Sequence, residues 1–133
     1  MERVVVGGVT VFDDSYNSNP ESLRAAVRVL SGLHGHARRV LVLGDMLELG
    51  PTEVEQHRET IRLAQDLDLD LLGLVGPRFG AARNDDTLWA AEAEHLGETL
   101  RKHLRPGDIV LIKGSRGIKM ERVLNGLEPK ETA

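Results

Sequence analysis

Residues 39–45, RVLVLGD, place an unbroken apolar run, Val40 to Leu43, between arginine and a Gly-Asp pair. A strand with one wet face alternates apolar and polar residues. A continuous run therefore signals a strand covered on both sides, as in parallel sheets flanked by helices. DLLGLVG at 70–76 and DIVLIKG at 108–114 repeat the pattern. Shorter β-branched runs at 4–6 and 9–12 flank Gly7-Gly8, a pair suited to a tight hairpin turn. TLWAA at 87–91 reads as one more short strand.

Helical patterns lie between these runs. Residues 20–33 carry Leu23, Ala26, Val27 and Leu30 at helical spacing, with Asn19 as N-cap and Pro20 as the first helical residue. Residues 52–67 form a second helix, with Thr52 and Glu55 in capping-box register. A third is expected over 92–103 and a short last one over about 119–127. Strands alternating with helices predict βαβ units. The expected fold is a Rossmann-like three-layer α/β domain. Its sheet has about six strands, mostly parallel, with one antiparallel edge strand from the Gly-Gly hairpin. The domain is expected to span 1–127, leaving 128–133 as a disordered tail.

The 133-residue length suits one domain with a real core. Only 3% of residues are aromatic, so that core must be aliphatic. A net charge of −4 argues against nucleic acid as a partner, which requires a basic surface. The absence of cysteine excludes disulfides and thiolate metal sites. No apolar run nears the ~20 residues of a membrane span, and the start lacks a signal-peptide pattern. A cytoplasmic monomer with no membrane association is expected.

Ligands of open α/β sheets bind beyond the carboxyl ends of strands. Three such ends carry unusual sequence: DDSYNSNP from Asp13, GDMLELGP from Gly44 and KGSRGIKME from Lys113. All three should line one edge of the sheet. The first has more Asp, Asn and Ser than a helix entry needs, which favours a binding role over a simple turn. Asp45 and Glu48 serve equally well as turn solvation or as ligand groups. In the third, Lys113, Arg116 and Lys119 with two glycines and a serine suit a phosphate or carboxylate. No segment matches GxxxxGK[ST] or GxGxxG, so neither a triphosphate loop nor a dinucleotide fingerprint is present. The five histidines show no metal-ligand spacing. His57 is the one nearest a candidate corner, because its helix begins beside GDMLELG, but it reads more readily as a structural histidine than as a ligand contact. Phe79 and Trp89 read as packing residues.

In combination, DDSYNSNPES, VLVLGDMLELG and VLIKGSRGIKMERV closely resemble the C-terminal domain of the Mur ligases, over about 9–127 and in family order. DDSYN-x-NP and KGSRG-x-KME point to the branch that adds D-alanyl-D-alanine to UDP-N-acetylmuramoyl-tripeptide. The resemblance implies an ATP-dependent amide ligase of peptidoglycan synthesis. ATP activates a peptide carboxylate as an acyl phosphate, which the dipeptide amine attacks. In such enzymes the phosphate loop, the magnesium ligands and a carbamylated lysine belong to a central domain, and UDP to an N-terminal one. ATP and Mg would therefore be held mainly outside this chain, which contributes no catalytic residue and no metal ligand of its own. The C-terminal domain closes over nucleotide and incoming dipeptide.

Residue by residue, the resemblance assigns Asp14 to the ATP ribose hydroxyls, with Asn17 and Asn19 beside it on the nucleotide side. Tyr16 faces the interdomain cleft, and Asp45 lies near the attacking amine. Ser115, Arg116 and Lys119 are assigned to the dipeptide, the two cations to its carboxylate. One departure stands out. The family's junction arginine has no clear match, since Arg3 lies closer to DDSYN than that arginine usually does; it is expected before Met1. The alternative to a ligase domain is a free-standing module that binds a nucleotide or cell-wall precursor without catalysis.

Overall fold

The computed structural model describes residues 2–14, 22, 25, 28, 38–47, 49–67, 69–114 and 119–127. In chain order these form β1 (Glu2–Val6), β2 (Val9–Asp14), β3 (Arg39–Gly44), a 3-10 turn (Gly50–Thr52), α1 (Glu53–Gln65) and β4 (Leu71–Val75). There follow α2 (Pro77–Ala82), β5 (Leu88–Ala90), α3 (Ala93–Arg101), β6 (Ile109–Lys113) and α4 (Arg122–Leu127). Ser22, Ala25 and Arg28 are helical, as expected for the helix at 20–33. The proposed cap at Asn19-Pro20 and the tail at 128–133 lie outside the described residues.

One six-stranded sheet runs in the order β1-β2-β6-β3-β4-β5. Only β1 is antiparallel, joined to β2 by Gly7 and Gly8 with Val6 opposite Val9. Both glycines have positive φ, 55° and 80°, which the two-residue turn demands and other residues resist. The remaining neighbours pair in parallel.

The apolar runs are explained by two cores. Val40 and Val42 of β3 pack with Val11, Val110 and Ile112 beneath α3 and α4, through Leu96, Leu100, Met120 and Val123. Leu41 and Leu43 point the other way, with Leu74, Leu111 and Phe79 beneath α1 and α2. Burying each of these leucines contributes about 1.5–3 kcal/mol, which commits every central strand to both faces. Trp89 packs at the rim, donating its indole N–H to Gly76 O at 2.8 Å under the guanidinium of Arg83.

Three local expectations need correction. Thr52 makes no capping hydrogen bond to the helix backbone. Its φ/ψ of −90°/8° continue the 3-10 turn instead of the extended geometry a cap requires, and its hydroxyl donates to Leu49 O. Pro77–Ala82 is an additional helix where none was expected. The outer helices are also shorter than read, 93–101 and 122–127.

Candidate functional site

The strand order brings together the ends of β2, β6 and β3, the strands that lead into the three unusual corners. β6 lies between β2 and β3, with Asp14 opposite Lys113 on one side and Leu43 opposite Lys113 on the other. The chain leaves β3 toward the α1/α2 layer and β6 toward the α3/α4 layer. Neighbouring strand ends thus open to opposite faces, the arrangement that makes a ligand crevice in such sheets. Asp14 is the last residue of β2. Tyr16, Asn17, Asn19, Ser115 and Arg116 lie outside the described residues. Lys113 is buried and Lys119 exposed.

Asp45, expected near a substrate amine, is fully buried. Its backbone N–H donates to Val75 O at 3.0 Å. One carboxylate oxygen accepts from Phe79 N–H at 2.9 Å and the other from Arg78 N–H at 3.0 Å. The side chain therefore ties the end of β3 to the first turn of α2. A β-carbon on Gly76 would strike this carboxylate, so only glycine fits there. Arg78 completes the knot, with Nε 2.6 Å from Glu53 Oε1 and Nη1 3.5 Å from Asp45 Oδ2. The hydrogen bond to Glu53, and then the charges of Glu53 and Asp45, raise the guanidinium pKa further above its ordinary value, against a partial loss of hydration.

His57, read as a structural histidine more than a ligand contact, is buried under the same corner. Nε2 accepts Met46 N–H at 3.0 Å, so the ring proton sits on Nδ1, 2.7 Å from Glu53 O. Its ring meets Phe79 edge to face, 4.5 Å between centroids. Both nitrogens are committed inside the protein. Asp45, His57 and Arg78 together fix residues 44–46 against α1 and α2.

Asp45→Asn tests this assignment directly. The amide keeps the size of the side chain but turns a donor toward one of the two α2 N–H groups. A loss of about 1–3 kcal/mol in unfolding free energy is expected, the cost of one unpaired buried N–H. Chemical denaturation of the two proteins measures it, and an unchanged midpoint would show that the carboxylate does not hold the corner.

Beside this corner, a cleft of about 290 Å³ lies beyond the ends of β4 and β5, lined by Gly76, Pro77, Glu92, Glu94, Lys119 and Arg122. Arg122 is the residue that sequence reading missed. Its signal was a second cation three positions after Lys119, and both residues line this cleft. A larger cavity, about 510 Å³, is walled by Asp70, Asp85 and Asp86 at the opposite, amino ends of β4 and β5. Ligands of this architecture bind instead beyond the carboxyl ends. Among the described residues no group of three His, Asp or Glu is placed to hold a metal ion. Nor is any described helix long and apolar enough to cross a membrane.

The family model described as "Mur ligase, glutamate ligase domain" matches residues 1–116. The chain belongs to the Mur ligases. This Mur ligase domain is 38% identical to the UDP-N-acetylmuramoyl-tripeptide–D-alanyl-D-alanine ligase of Treponema pallidum, over 91% of the chain and 28% of that protein. It is 31% identical to the ligase of the same name from Bacillus subtilis, over 90% of the chain and 28% of that protein. The chain therefore spans just over a quarter of the length of these curated relatives. It superimposes on the MurF ligase of Thermotoga maritima, solved in complex with ADP, with a TM-score of 0.79 at 27% identity. That match covers 94% of the chain and 29% of the Thermotoga protein.

Proposed function

We propose that this domain closes over nucleotide and incoming dipeptide in a longer, cytoplasmic ligase that joins D-alanyl-D-alanine to UDP-N-acetylmuramoyl-tripeptide. The carrying observation is the adjacency of β2, β6 and β3, which sets the strand ends Asp14, Lys113 and Gly44 side by side. ATP supplies the activation of the tripeptide carboxylate, and it and Mg bind mainly to the remainder of the protein. This division fits a sequence without a triphosphate loop. At the end of β2, Asp14 with Asn17 and Asn19 takes the ribose hydroxyls, two donors that a carboxylate can accept together. Tyr16 faces the closing cleft. The dipeptide sits between Ser115–Arg116 and the cleft lined by Lys119 and Arg122, its carboxylate on the cations. A cleft of about 290 Å³ is large enough for a dipeptide. Asp45 serves this site by shaping the corner beneath it, not by touching the amine.

Two measurements test the reading. The 133-residue chain alone should neither hydrolyse ATP nor join D-alanyl-D-alanine to the tripeptide; robust ATP turnover lost on Asp14→Asn would establish a free-standing enzyme instead. In the full-length ligase, Lys119→Ala and Arg122→Ala should each raise the KM for D-alanyl-D-alanine about tenfold while leaving the ATP constant alone. Dipeptide constants unmoved in both variants would remove the dipeptide from this cleft.

A further inference from the structure

Met120 is fully buried, although its neighbours Lys119 and Glu121 are exposed. Its side chain lies across the ends of two adjacent strands. A β-carbon on Gly44, the last residue of β3, would strike its sulfur and come within 3.0 Å of its Cγ. A β-carbon on Gly114, just past β6, would lie 2.5 Å from that Cγ and 3.2 Å from Gly44 Cα. Both strand ends thus lack side chains where the methionine passes, and an unbranched chain fills the gap.

The residue before it is unusual. Lys119 has φ of +55°, the sole positive value at a non-glycine position among the described residues. This region is unfavourable for lysine and persists where surrounding structure holds it. The holding contacts are visible. Met120 is anchored between the strands, while Arg122 N–H donates to Lys119 O at 3.0 Å and Val123 N–H to Met120 O at 2.9 Å. One consequence is that consecutive side chains part, with Met120 directed inward and Lys119 onto the cleft wall beside Arg122.

We propose that Met120 is a positioning residue of the cleft: seated between Gly44 and Gly114, it fixes the left-handed turn at Lys119 and so aims Lys119 and Arg122 at the substrate carboxylate. This rests on the reading of the cleft as the dipeptide site. It makes dipeptide affinity depend on a side chain that touches no substrate.

The test uses the full-length ligase with Met120→Leu and Met120→Ala, beside Lys119→Ala and Arg122→Ala. Leucine conserves volume but adds a branch where the chain passes the glycines. Met120→Leu should fold and raise the dipeptide KM about three- to tenfold; Met120→Ala should raise it about tenfold or more, within the hundredfold that a misplacement of roughly 1 Å can cost. The ATP constant should hold in both. If the cation variants weaken the dipeptide but Met120→Leu leaves it unchanged, or loses its fold, Met120 is merely core and the proposal is overturned. If the cation variants leave the dipeptide constant unmoved, the cleft reading itself fails, whatever Met120 does. Should Met120→Ala not fold, the leucine variant decides alone.

Discussion

Gly126→Val is expected to destabilise the domain by an amount on the order of 4 kcal/mol, beyond the ~1–3 kcal/mol of ordinary overpacking. The reason is what the new side chain would meet. A β-carbon at Gly126 would strike Glu94 O and come within 2.7 Å of Glu98 N and 2.8 Å of Gly97 Cα. All three atoms belong to the backbone of α3, so no rotamer change relieves the clash. Reciprocally, a β-carbon on Gly97 would run into Val123 O and lie 2.9 Å from Gly126 Cα. The two helices cross with backbone against backbone, and the helix propensity gained by removing glycine, under ~1 kcal/mol, cannot offset separating them. Urea denaturation of the domain measures the loss, with the exposed neighbour Asn125→Ala as a near-neutral reference. A change below about 1 kcal/mol would mean that α3 and α4 slide apart freely and that their contact does not fix the segment carrying Lys119 and Arg122.

The second large effect concerns nucleotide. In the full-length ligase, Asp14→Asn should weaken ATP binding by about 1.5–3 kcal/mol, roughly ten- to over a hundredfold. The substitution keeps the size of the side chain while removing its charge and one acceptor, the features that two ribose hydroxyls would use. Arg116→Ala should act in the opposite sense, raising the dipeptide constant more than the ATP constant, because its assigned partner is a carboxylate. Were Asp14 only a turn residue, Asn would lower the melting temperature and leave both constants in place. Steady-state constants and thermal melts on the same two variants separate these outcomes.

Most of the sheet could be read directly from sequence because burial on both faces leaves a plain trace. Val40–Leu43 and Ile109–Ile112 alternate between two cores, yet both cores are apolar, so the runs appear unbroken. The hairpin was equally plain, since paired glycines between β-branched runs have few other uses. Strand order was not legible, because it depends on which distant edges pair. The additional helix α2 is too short to show a period, and its single sequence mark is Pro77 after Gly76. The Thr52 capping pattern was present in letters but not in geometry, because the chain arrives through a 3-10 turn.

At the site, the side-by-side ends of β2, β6 and β3 agree with the rule for strand ends. The separate fates of Asp45 and His57 could not be read from that rule. Asp45 binds backbone groups more than thirty positions away, and His57 serves Met46 across a tertiary contact. Such partners leave no spacing signal. Met120 was hidden for the same reason, since its contacts are with glycines, which announce a close approach without naming what approaches.

The position of β6 also has a consequence for biosynthesis. Thr10 pairs with Ile109, and Arg39 pairs with Ile109 from the other side, so the strand made last joins the two parts made earlier. While a ribosome is still producing the middle of the chain, β1–β2 and β3–β5 are separate fragments, each exposing an unpaired edge to other nascent chains. The sheet can close only after residue 113 has left the exit tunnel, and it must then insert a strand between edges already present. Such long-range pairing makes for slow, late folding. A transcript truncated before this strand would therefore yield no smaller working domain, only two sticky halves for the cell's quality control to remove.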